Sequence, residues 1–209
     1  MSFSSSSSFS QANESLNHHT HIQVQYLVGL ALIESIRGLD PRCEDLDLNL
    51  KWPNDIYVNK SKKIGGVLCQ SSLFRRTFEV AIGVGLNVDN SEPSTCLNDL
   101  LASTETTRRL TRGEVLGQFC TTFQEMLDVF RKRGFSPFED SYYRFWLHSD
   151  QQVRAVVDED TNKQVTMRVK GLTKQGALLA EEIETGRAHE LYPDGNRFDF
   201  LKGLVSKKR

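Results

Sequence analysis

Three short segments of this 209-residue sequence hold residue types that could bind and activate an anionic ligand. The first is Lys51-Trp52-Pro53-Asn54-Asp55, which sets an ammonium, an amide and a carboxylate beside a turn that proline stiffens. Such a group could hold a polyphosphate and its metal ion at a strand end, where a rigid sheet presents chemistry. A solvent-facing strand and an ordinary Pro-Asn-Asp turn explain the same residues, and residue types alone favour that plainer account. The second is Lys62-Lys63-Ile64-Gly65-Gly66, where two glycines let a ligand approach the backbone while a lysine reaches an anion. A basic turn with a β-bulge is its plainer alternative. The third is Gly83-Val84-Gly85-Leu86-Asn87. With Phe78, Val80, Ile82 and Val84 on one strand face, the other carries Ala81, Gly83, Gly85 and then Asn87. A strand seldom gives up side-chain packing in this way unless something else fills the space, and this feature tilts the reading towards a ligand site.

The elements that must position these groups follow from hydrophobic periodicity. His21 to Arg37 is apolar on most faces and predicts a helix buried between layers, with Gly38 as its stop. Asp45 to Trp52 alternates, with Leu46, Leu48, Leu50 and Trp52 on one side, and predicts a half-buried strand ended by Pro53. Ile64–Ser71 and Thr77–Val84 predict an antiparallel hairpin turning around Arg75-Arg76. Thr111 and Glu114 form a capping-box pattern ahead of a helix that closes on Arg131-Lys132-Arg133 and Gly134. Ser136-Pro137 opens a shorter aromatic helix. After Ser149-Asp150 the pattern changes to short β-type stretches, which predict a separate small barrel or sandwich over 150–209.

Composition excludes several classes. No apolar run reaches membrane-spanning length. A net charge of −1 argues against bulk phosphate-backbone binding, and only the tail Lys207-Lys208-Arg209 would speak for nucleic acid. Cys43, Cys69, Cys96 and Cys120 are scattered without Cys-x-x-Cys spacing and predict reduced thiols. His18-His19-Thr20-His21 is read as part of a polar tail, so no metal site built by the protein alone is predicted. The Ser-rich stretch over residues 1–19 is expected to be disordered. It has the Ser of an organellar presequence without the Arg, so the expected location is the cytoplasm, with plastid or mitochondrion as alternatives.

Taken together and in order, Lys-Trp-Pro-Asn-Asp, Lys-Ile-Gly-Gly-Val-Leu and Gly-Val-Gly-Leu-Asn-Val closely resemble the biotin protein ligases (holocarboxylase synthetases). The stretches from Ser94 to Asn98 and from Tyr142 to Ser149 resemble the eukaryotic, plant-like branch. The likeness covers the chain from about Thr20 onward. It implies an α+β fold: a mixed sheet with helices like that of class II aminoacyl-tRNA synthetases over 20–149, followed by an SH3-like domain to which Asp194-Gly195-Asn196 belongs. It also implies ATP-dependent formation of biotinyl-5′-adenylate and transfer of biotin to a lysine of a carboxylase carrier domain.

By this resemblance Lys63 touches the biotin carboxylate and the α-phosphate, and Gly66, Leu68, Gly83 and Gly85 line the biotin pocket. Lys51, Asn54 and Asp55 face the nucleotide phosphates and Mg2+, and Asn87 contacts the nucleotide. ATP and biotin enter as substrates. The expected partner is the biotin carboxyl carrier domain of a carboxylase, with weak homodimerisation as a further expectation and neither nucleic acid nor membrane as a partner.

One feature of the family has no counterpart. Its Gly-Arg-Gly loop precedes the helix matched by His21–Arg37, whereas the one Gly-Arg pair here, Gly186-Arg187, lies in the second domain. The sequence therefore predicts an adenylate open to water and a sheet with an uncovered edge. A truncated ligase that only binds carrier or nucleotide is the alternative, and a lipoate-type acyl ligase is a more distant one.

Overall fold

The computed structural model describes residues 4–9, 20–74, 77–92, 94–102, 108–158, 163–192, 196–199 and 204–207, and the chain divides into two units, Met1–Leu147 and His148–Arg209. In chain order the first unit contains β1 (Ser4–Phe9), α1 (Thr20–Arg37), α2 (Pro41–Glu44), β2 (Leu48–Lys51), β3 (Asp55–Val58), β4 (Lys62–Phe74) and β5 (Thr77–Leu86). It continues with α3 (Leu97–Leu100), α4 (Arg112–Arg133), a 3-10 turn (Ser136–Phe138) and α5 (Glu139–Phe145). Its five strands pair in the order β1-β5-β4-β3-β2, antiparallel throughout.

Leu27, Val28, Ala31, Ile33 and Ile36 of α1 are fully buried because β4 packs on one side of the helix and α4 on the other. This is the layered burial its all-round apolar pattern predicts. Thr111 caps α4 reciprocally with Glu114, and Gly134 ends it at a φ of 66° that favours glycine. Tyr26, Phe135 and Tyr142 cluster with ring centroids 5.2–6.1 Å apart and tie α1 to the chain segment after α4.

Three expectations are corrected. The Ser-rich start is not wholly a disordered tail, since Ser4–Phe9 pairs with β5 from Ser4↔Gly83 to Phe9↔Phe78. Extended serines can join a ladder through their backbone alone, which composition does not reveal. The β5 edge expected to lie uncovered is therefore covered along that stretch. The strand expected from Asp45 begins only at Leu48. The Asp40 carboxylate accepts the Arg42 N–H at 3.0 Å, Pro41 opens α2 and Asp45 becomes its C-cap, so a helical turn takes up the first part of the alternation. Asp55, read as a turn residue, instead starts β3, a strand too short for its alternation to stand out. Residues 75–76 of the predicted hairpin turn, like His18 and His19, lie outside the described residues.

The second unit contains β6 (Gln152–Asp158), β7 (Lys163–Leu172), β8 (Leu178–Glu182), β9 (Ala188–Leu191), β10 (Asn196–Asp199) and β11 (Leu204–Lys207). They form one sheet in the order β10-β11-β6-β7-β8-β9, in which only the β11–β6 contact is parallel. Val153, Ala155, Met167, Val169, Leu178 and Ala180 form its buried side. The two units are each mixed or all-β with predominantly antiparallel strands, so the chain as a whole is α+β.

Candidate ligand site on the open face of the hairpin

The two faces of the β4–β5 hairpin differ in content. Val67, Cys69, Val80, Ile82 and Val84 are buried on one face. Paired residues of an antiparallel ladder share a face, so Gly66 with Gly85, and Leu68 with Gly83, lie on the other. Leu68 is 57% exposed there, an unusual state for a strand leucine. A cavity of about 360 Å³ opens over this face, lined by Asn54, Asp55, Lys63, Gly66, Val67, Leu68, Gly83, Val84 and Gly85.

The glycines serve different purposes. A Cβ on Gly83 would meet only the Leu68 carbonyl oxygen at 3.6 Å, and one on Gly85 only the Gly66 oxygen at 3.9 Å. Both are ordinary contacts, so the protein's own packing does not require glycine at either position. Their missing side chains leave room in the cavity. Gly66 is tighter, because its Cβ would stand 3.2 Å from the Asp55 carboxylate and 3.4 Å from the Lys63 ammonium.

That carboxylate and ammonium close the polar end. Asp55 faces Gly66 across the β3–β4 ladder, and Lys63 Nζ lies 2.5 Å from Asp55 Oδ1. The Lys63 side chain is half exposed, so the pair can open to admit an anion at small cost. Ser94 donates to the Lys63 carbonyl at 2.7 Å and fixes the backbone from which the ammonium reaches. Lys51 lies opposite Asp55 on β2, with its ammonium 3.4 Å from the Tyr57 hydroxyl and 5.1 Å from the ring centroid. The Lys63 ammonium beside the Asp55 carboxylate, with Lys51 one strand further out, is an arrangement suited to an anionic ligand. Among the described residues no group of three or more His, Cys, Asp and Glu could hold a metal ion.

Behind the turn, Trp52 is a structural anchor: it is 1% exposed, and its indole N–H donates to the Tyr26 hydroxyl at 2.7 Å. Burial raises the Tyr26 pKa, so the hydroxyl stays neutral and keeps accepting that bond. The Asn54 carbonyl accepts the Val67 N–H at 2.8 Å, which holds the turn against β4.

Residues 5–87 match the biotin/lipoate A/B protein ligase family. The chain is 43% identical to biotin–protein ligase 1, chloroplastic, of Arabidopsis thaliana, over 88% of this chain and 51% of that protein. It is 44% identical to biotin–protein ligase 2 of the same plant, over 88% of this chain and 57% of the relative. The solved biotin protein ligase of Aquifex aeolicus in complex with biotin and ATP is 25% identical, with a TM-score of 0.57 over 89% of this chain and 77% of that one.

Over most of its length the chain is similar to the plant biotin protein ligases.

It spans about half the length of the plant ligases it matches. Seven of the residues singled out from the sequence meet at one cavity: Asn54, Asp55, Lys63, Gly66, Leu68, Gly83 and Gly85. Two do not line it. Lys51 stands one strand further out beside Tyr57. Asn87 lies past the end of β5, where its amide donates to the Thr95 carbonyl at 3.1 Å and accepts from Asn90 at 3.0 Å. Sequence reading missed Tyr57, whose signal was its two-residue spacing from Asp55, and Ser94, for which no local signal existed. No helix among the described residues is long and apolar enough to cross a membrane.

Proposed function

We propose that this chain carries the catalytic site of a biotin protein ligase. It joins biotin and ATP into biotinyl-5′-adenylate and then transfers biotin to a lysine of a carboxylase carrier domain. The observation that carries this reading is a glycine-lined cavity closed at one end by the Lys63–Asp55 pair. An apolar ring system fits over Gly83, Gly85 and Leu68, and its carboxylate then points at Lys63.

In the first half reaction a biotin carboxylate oxygen attacks the α-phosphorus and the bond to the β-phosphate oxygen breaks, releasing pyrophosphate. The Lys63 ammonium exchanges Asp55 for the carboxylate and the α-phosphate, and stabilises charge as it develops there. Asn54 and Asp55 face the phosphates, with Lys51 adding positive charge beside them. Asp55 is the carboxylate that would hold Mg2+ together with the nucleotide, and the ion would supply charge neutralisation on the polyphosphate. In the second half reaction the neutral amine of the carrier lysine attacks the acyl carbon, AMP leaves with the bonding pair, and the amine loses its proton to solvent. The nucleophile comes from the partner, so none is needed on this chain. A plastid location is supported by the chloroplastic relative.

The test incubates the purified chain with labelled biotin, Mg-ATP and an apo carrier domain, beside a Lys63→Ala variant and a lipoate arm. Biotin transfer that is lost in Lys63→Ala, with lipoate ignored, is expected. A folded chain that uses lipoate as readily, or forms no biotinyl adenylate at all, overturns the proposal.

A further inference from the structure

The β3–β4 ladder ends at Asp55↔Gly66, because the chain turns away through Trp52-Pro53. Alternate residues of β4 direct their N–H groups to the same side, so Val67 and Cys69 both point towards this turn. The Val67 N–H meets the Asn54 carbonyl at 2.8 Å. No backbone carbonyl of the turn meets the Cys69 N–H; it donates instead to Gln25 Oε1 on α1 at 3.2 Å. The other end of the same carboxamide, Nε2, donates to the Pro53 carbonyl at 3.3 Å. One side chain therefore takes the place of the missing ladder residue, accepting from β4 and donating to the turn. Its neighbour Tyr26 holds the Trp52 indole, so two successive residues of α1 grip two successive residues of the turn.

We infer that Gln25 is a positioning residue that sets Asn54 and Asp55 against the glycine face of β4 and β5. Gly83 and Gly85 are fixed by the β4–β5 ladder, to which β1 adds pairing at Gly83, and Leu68 faces Gly83 within it. Gln25 thus governs the polar side of the site and leaves the apolar side untouched. On the reading that ATP binds at the polar side and biotin at the glycine face, it governs nucleotide affinity separately from biotin affinity.

The test compares Gln25→Leu, which loses both bonds, with Gln25→Glu, which keeps the acceptor for Cys69 and lacks the donor for Pro53. In Gln25→Leu, amide exchange at Cys69 speeds up and the NMR resonances of Asn54 and Asp55 shift, while those of Gly83 and Gly85 stay in place. The KM for ATP rises about tenfold, the equivalent of one net hydrogen bond, with the KM for biotin unchanged. Gln25→Glu restores protection of Cys69 without restoring the KM for ATP. Unshifted Asn54 and Asp55 in folded Gln25→Leu, or KM values for both substrates rising together, overturns the inference. If the unaltered chain makes no adenylate, the ligase reading fails, and the exchange and resonance measurements still decide the role of Gln25.

Discussion

Gly65 and Gly85 lie on opposite strands of the β4–β5 hairpin at neighbouring register positions, yet they are glycine for opposite reasons. A Cβ on Gly65 would stand 2.8 Å from the Gly85 carbonyl oxygen, a distance real Cβ atoms essentially never show against backbone. A Cβ on Gly85 has room. Gly65 is demanded by the protein's own backbone, whereas Gly85 and Gly83 are spared a side chain on behalf of whatever fills the cavity. The contrast separates residues that make the hairpin from residues that make the site, although all lie within one hairpin.

The largest effect that could break this division is on stability. Gly65→Ala should cost about 2–3 kcal/mol through a clash with rigid backbone, read as a lower urea midpoint. Ile82→Val, on the buried face, should cost about 1 kcal/mol in the same assay by lost burial and an unfilled cavity. Neither is expected to alter biotin affinity in the fraction that remains folded. Gly85→Ala should do the reverse, moving stability by no more than about 0.5 kcal/mol. It should weaken biotin binding about tenfold, since a methyl occupies ligand volume, and isothermal titration would show it. Equal losses of stability in Gly65→Ala and Gly85→Ala would erase the distinction.

Acid sharpens the comparison from outside the hairpin. Hydrogen bonding from the Arg42 guanidinium and then its backbone N–H holds the Asp40 pKa down from 3.8 to about 2, and Arg108 adds to this at 3.0 Å. A carboxyl with a depressed folded value contributes stability that is full above its unfolded value and fades as pH falls through the folded one. Resistance to thermal unfolding should therefore fall as the pH drops from about 4 to about 2, and Asp40→Asn should flatten that part of the profile. The smallest effect concerns the thiols. Burial pushes Cys69, on the core face, up to about 12, whereas Cys120 on α4 is exposed. Iodoacetamide at pH 8 should label Cys120 first and reach Cys69 only after denaturation, as mass spectrometry would show.

How far the sequence could be read depended on how local each signal was. The α4 boundaries follow from Thr111, Glu114 and Gly134 because a capping box and a glycine stop at positive φ are made within a few residues. The open face of β5 follows from Ala81, Gly83 and Gly85 because strand period is local too. The turn at Asp55 was misread, since Ile56 and Val58 make too short an alternation to declare a strand. The serine strand was also misread, because its place in the sheet rests on backbone pairing with a segment 69 to 79 residues away. Gln25 was passed over as a polar residue in an apolar helix, and its two partners lie 28 and 44 residues off.

By itself the sequence determined the elements whose signals are short-range, the residue types that could bind an anion beside an apolar group, and, through three motifs in order, the family it resembles. The tertiary structure decided which of those residues share a cavity. It paired Lys63 with Asp55, stationed Lys51 on Tyr57 and turned Asn87 towards Thr95. Those outcomes depend on strand register and on side chains meeting across several elements, and such contacts become favourable only once the sheet and α1 have buried their common core.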